Sequence, residues 1–167
     1  EEDFFSAELE VVPAGPAREM GFDGSMVMSY GQDDRVCAYT SLEAILDSSV
    51  NERTSCCLLV DKEEIGSVGA TGMQSRFFEN MVAELINLNG NYSELILKRC
   101  LKNSKMLSSD VNAAYDPLYA DVFSEQSTSY IGKGVVFNKF TGSRGKSGSN
   151  DANAEYLAEI RKVMDDN

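Results

Sequence analysis

At 167 residues the chain has the length of about one domain with a real core. Its composition, 43% apolar and 25% charged, is that of a globular protein. A formal net charge of −12 argues against nucleic acid and anionic membrane surfaces as partners, and no apolar run is long enough to span a bilayer.

The chain opens on Glu1-Glu2-Asp3 with no signal peptide, so it reads as an internal piece of a longer protein. Residues 7–12 alternate enough for a strand, and Pro13, Gly15 and Pro16 then break the pattern. Residues 25–30 are a second strand candidate, leading into Gly31-Gln32-Asp33-Asp34-Arg35. From Asp34 to Leu46 apolar residues recur at helical spacing. Residues 55–60 form a continuous apolar run, as in a buried parallel strand, and lead straight into Asp61-Lys62-Glu63-Glu64.

A Gly-containing loop follows, then a helix from about Ser75 to Leu88 whose inner face carries Phe78, Val82, Leu85 and Ile86. Asn89-Gly90-Asn91 stops it. Ser93 to Asn103 reads as another helix, and Lys105 to Ser109 as a short strand ending at Asp110. Residues 115–130 look irregular, Val135 to Phe140 like a strand, and Thr141 to Ser149 like a loop. Ser149 or Asn150 is placed to cap a final amphipathic helix through Val163. This alternation predicts an α/β fold: a three-layer α/β/α sandwich around a mostly parallel sheet.

The candidate chemistry is carried by acids. Asp33, the Glu63-Glu64 pair and Asp110 each sit where an apolar run stops, which is where sites collect in an open α/β sheet. Neighbours on an extended chain point in opposite directions, so one Glu can hold a metal while the other faces a reacting water. An Asp lying between two metals can bridge them. The bland readings are a solvated loop end for the Glu pair, a helix cap for Asp33 or Asp34, and a turn residue for Asp110. There is no histidine anywhere. Cys37, Cys56, Cys57 and Cys100 make no CxxC pair and read as free thiols of a reducing cytoplasm. The stretch 142–147 imitates a phosphate loop, but that motif requires Gly at position 140, where Phe140 stands.

Taken together, AELEVVPAGPARE, YGQDDRVCAY, LLVDKEEIGSVGATGMQS, NSKMLSSDVNAA and TGSRGKSGSNDANAEY closely resemble the aspartyl aminopeptidase and vacuolar aminopeptidase I family, especially its bacterial members. The resemblance spans nearly the whole chain. It implies a cytoplasmic metallo-aminopeptidase with two zinc ions (cobalt or manganese being possible replacements), acting on peptides and assembled as dodecamers built from dimers. It implies Asp33 as bridging ligand, Glu63 as general base, Glu64 as ligand of one metal and Asp110 as ligand of the other, with a cis peptide between Asp33 and Asp34. It further implies that residues 1–24 end an inserted dimerisation domain and that 25–167 form the central part of the catalytic domain. The family's two histidine ligands have no counterpart in this chain, so the segment alone is expected to be inactive. The basic group of an acid-specific substrate pocket would come from among Lys133, Lys139, Arg144 and Lys146.

Two other readings follow from the residues. A histidine-free acidic site suits a magnesium-dependent phosphohydrolase, because hard cations prefer oxygen. Alternatively, the acids are caps on a non-catalytic assembly module.

Overall fold

The computed structural model describes residues 2–49, 52–138, 140–143 and 147–166. The chain divides into two compact units, Glu1–Val111 and Asn112–Asn167.

The first unit starts with a single helical turn, α1 (Glu2–Phe5), and an extended stretch. A short hairpin follows, β1 (Arg18–Met20) paired antiparallel with β2 (Met26–Met28), with Arg18 opposite Met28. Its turn uses Gly21 and Gly24, both at positive φ, and the Asp23 carboxylate accepts a hydrogen bond from the Ser25 amide at 3.2 Å. Next comes α2 (Gln32–Asp47), whose half-buried stripe runs through Asp34, Cys37, Ala38, Ser41 and Ile45. That spacing is one face of a helix, as the sequence periodicity predicts.

Helix α3 (Phe77–Leu88) ends at Asn89-Gly90, and α4 (Glu94–Lys102) begins at Ser93, whose hydroxyl accepts from the Ile96 amide at 3.2 Å. The two helices pack on one another. Leu97 of α4, 5% exposed, is the one buried large apolar side chain among the described residues. Phe78, Val82 and Ile86 are half-buried on α3, as expected of its inner face, while Leu85 is exposed.

In the second unit, a bridge pairs Ala114 with Ser129, and the Tyr115 ring lies against Phe123 and Tyr130 at centroid distances of 5.6 and 5.4 Å. A 3-10 helix, Pro117–Val122, is capped by Asp116. Strands β3 (Phe140–Ser143) and β4 (Ser147–Asp151) pair antiparallel, and α5 (Ala154–Asp165) closes the chain.

The helices stand close to where the periodicity predicts them, but the parallel sheet does not appear. Among the described residues the sheets are two antiparallel two-stranded ladders. Residues 7–12, 55–60 and 105–109, expected as strands, are assigned none. A strand exists only through its ladder, and these segments meet no ladder partner among the described residues. What is established is a mixture of helices and short strands, not a three-layer sandwich. The 141–149 stretch, expected as a loop, contributes to β3 and β4 instead, with residues 144–146 outside the described ones. Helix α5 is capped by Asn153, whose side chain accepts from the Tyr156 amide at 2.9 Å; Ser149 and Asn150 belong to β4.

Candidate metal centre

The start of α2 is irregular. Gly31 takes a left-handed conformation (φ 76), and Asp33 (φ −89, ψ 105) and Asp34 (φ −122, ψ 32) are not helical. The Asp33–Asp34 peptide is cis, as the family resemblance implies. The N-cap position of α2 is taken by Gly31, which has no side chain to cap with, and not by either aspartate. Gln32 ties the turn to the hairpin, its amide nitrogen donating to the Val27 carbonyl at 3.4 Å.

Asp33, Asp34 and Asp110 each place a carboxylate oxygen within 4.8 Å of the others. Asp110 also accepts from the Val111 amide at 2.7 Å, the local turn contact anticipated as its bland role. Asp34 is half-buried, and its Oδ1 is shielded from solvent with no hydrogen-bond partner among the described residues, although the Cys37 thiol interacts with the same carboxylate. An unpartnered shielded carboxylate oxygen is costly unless a cation meets it.

Glu63 and Glu64 lie on a 3-10 turn, Glu63–Ile65, immediately after the apolar run 55–60. Burial raises the Glu63 carboxyl above the ordinary glutamate range, and the charges of Asp110, Glu64, Asp33 and Asp34 push the same way. The acids singled out in the sequence thus lie near enough for Asp33, Glu64 and Asp110 to act on Glu63, all within the first unit. Glu64 is not part of the three-aspartate oxygen cluster.

Two groups escaped the sequence-based ligand set. One is Asp34, whose signal was its adjacency to Asp33. The other is Cys37, one helical turn further along α2; burial pushes its thiol up to about 11, with neighbouring Asp34 adding to the shift and Ser109 opposing it. Of the basic pocket candidates, Lys133 is exposed in the second unit, while Lys139, Arg144 and Lys146 lie outside the described residues.

The donor chemistry fits a divalent cation. Like charges this close repel one another, and a cation relieves that while meeting the shielded Asp34 oxygen. The all-carboxylate set is accepted by zinc and by harder ions alike; zinc sites usually add nitrogen or sulfur.

Comparison with known proteins narrows this acidic centre to a class, the metallopeptidases. The family model described as "Aminopeptidase I zinc metalloprotease (M18)" matches residues 1–167, and the chain belongs to that family. A probable M18 family aminopeptidase 1 of Clostridium acetobutylicum is 63% identical over 164 residues, covering 98% of this chain and 35% of the relative. The crystal structure of aminopeptidase I from the same organism superposes with a TM-score of 0.86 at 60% identity, over 98% of this chain and 35% of that one. An M18-family aminopeptidase structure from Thermotoga maritima gives 0.84 at 41% identity, over 93% and 34%. The chain thus spans about a third of the length of these relatives. No helix among the described residues is long and apolar enough to cross a membrane.

Proposed function

We propose that the chain is the central part of the catalytic domain of a zinc-dependent aminopeptidase that removes single N-terminal residues from peptides. Residues 1–24 would be the return from an inserted dimerisation domain, and the complete protein a cytoplasmic homo-oligomer built from dimers. The observation that carries the reading is the gathering of Asp33, Asp34, Asp110 and Glu63 in one acidic centre within a chain of the M18 family.

In this reading Asp33 would serve both zinc ions, Asp110 would be a ligand of one and Glu64 of the other. Zinc held there would supply Lewis acidity, making a water easier to deprotonate and a peptide carbonyl easier to attack. The remaining work belongs to Glu63. Its carboxylate takes a proton from the attacking water as the new C–O bond forms, and delivers it to the amine nitrogen as the C–N bond breaks. A carboxyl biased toward holding a proton, as Glu63 is, suits the second half of that exchange. Support for a larger parent comes from packing: apolar side chains such as Val11 and Phe22 are fully exposed, and one large apolar residue is buried among those described. The rest of the enzyme, by this account, covers that surface and supplies nitrogen ligands.

The test is Glu63→Gln in the full-length enzyme. Zinc content should be kept, and peptide hydrolysis should fall by ~10²–10⁴-fold, the usual worth of a general base. Undiminished hydrolysis would remove Glu63 from the mechanism. Family membership weighs against the magnesium phosphohydrolase and the assembly module.

A further inference from the structure

The loop that carries Glu63 and Glu64 is closed by its own far end. The Asp61 amide donates to the Thr71 carbonyl at 3.1 Å, making a neck. Inside it, the Gly66 amide donates to Glu63 O at 2.8 Å and the Ser67 amide to Lys62 O at 2.7 Å, which fixes the 3-10 turn. Residues 72–75 then fold back onto that turn. The Gln74 amide donates to Ser67 O at 3.0 Å, and the Gln74 side-chain nitrogen donates to the Gly66 carbonyl.

Gly72 makes this closure possible. It is buried, and a Cβ at this position would stand 2.1 Å from the Ser67 carbonyl oxygen and 2.4 Å from its carbon. Those are backbone atoms, which cannot swing away as a flexible side chain could. The closure is tied in turn to a rigid element: the Ser75 amide donates to Gly72 O at 3.0 Å, and Ser75 Oγ accepts from the Phe77 amide, the first residue of α3, at 3.3 Å.

We propose that Gln74 is a positioning residue, which with Gly72 clamps the Glu63–Glu64 turn to the start of α3 and so holds both carboxylates in register with the aspartates. This rests on the reading of Glu63 as base and Glu64 as ligand. The side chain reads the carbonyl of Gly66, the residue that ends the 3-10 turn, and the backbone reads the next carbonyl along. Losing the side-chain bond leaves the turn free to rotate its two acids together. Misplacement of a reacting group by an ångström is worth ~10²-fold in rate.

The experiment uses the zinc-loaded full-length enzyme with Gln74→Met, which keeps the length and loses the donor, and Gln74→Glu, which sets an acceptor against the Gly66 carbonyl. Two quantities are read: steady-state kinetics, and amide hydrogen exchange at Gly66 and Ser67. The expected result for both variants is a kcat lower by ~10–100-fold with KM within about twofold, together with faster exchange at the two amides and unchanged exchange in α3 and α4. Wild-type kcat, or wild-type exchange at Gly66 and Ser67, would overturn the clamp. A wild-type enzyme without aminopeptidase activity would refute the proposed function instead, and the exchange result alone would then decide whether Gln74 holds the turn.

Discussion

Two segments deliver acids to the same centre by opposite means. The 61–75 loop is held by bonds to itself: a neck at Asp61 and Thr71, an inner 3-10 turn, and a close backbone approach at Gly72. The segment 105–110 forms neither helix nor ladder among the described residues and ends in Asp110, whose carboxylate accepts from the next amide. A loop that satisfies its own backbone can present a side chain wherever it is docked. An extended segment can do so only when neighbouring strands hold it. Half of the site is thus built locally, and half depends on context.

The largest consequence concerns the 167-residue chain by itself. Measured beside the full-length enzyme, it should hydrolyse no aminoacyl substrate detectably and bind zinc at least ~100-fold more weakly, since ligands and supporting contacts are both missing. Amide exchange should divide along the same line, with protection at Ser67 and Gln74 and little at 106–110. Equal activity in the two proteins would end the view that half the site depends on context.

Gly72→Ala comes next. A methyl group driven into the Ser67 carbonyl should cost ~1–3 kcal/mol of local stability and open the loop, lowering kcat by at least ~10-fold. Ser109→Ala, the comparable small change beside Asp110, loses only the hydroxyl's interaction with the Cys37 thiol and should alter kcat by no more than about threefold. Kinetics on the two variants together would sharpen the contrast, and a larger effect at Ser109 would invert it.

The smallest effect is expected far from both regions. In α4, Glu94 and Lys98 pair at 2.7 Å on the exposed surface. The side-chain hydrogen bond to Lys98, and then its charge, lowers the Glu94 carboxyl below its ordinary value. A depressed carboxyl stabilises the fold above its unfolded value and loses that contribution as pH falls through the folded one. Thermal melts of Lys98→Ala should therefore differ slightly from wild type at neutral pH and converge with it in acid, with the difference shrinking at high salt. A difference that grew in acid would contradict this.

The sequence was most legible where the signal is local. Helical spacing located α2, α3 and α4 closely, because amphipathic period, the Ser93 cap and the Asn89-Gly90 stop act within a few residues. Asp33, Glu63 and Asp110 were recognisable as ends of apolar runs; Asp33 and Asp110 do lie together, and Glu63 feels the charge of both. The sheet was not legible in the same way. Apolar runs at 55–60 and 105–109 indicate burial in a strand, but whether a ladder forms depends on residues distant in sequence. The part played by Asp34 was hidden because a helix-starting Asp normally reads as a cap; here Gly31 takes the N-cap position, and Asp34 joins Asp33 in the acidic cluster. The clamp by Gly72 and Gln74 carried no charge or motif, only a backbone approach that a linear pattern does not reveal.

The most direct test of the central claim is diffraction from zinc-loaded crystals of the full-length enzyme, recorded at the zinc absorption edge. The account predicts two anomalous peaks at the centre formed by Asp33, Asp110 and Glu64, with Glu63 beside them and not ligating either. Zinc bound elsewhere, or a centre in which Asp33 and Asp110 share no metal, would contradict it.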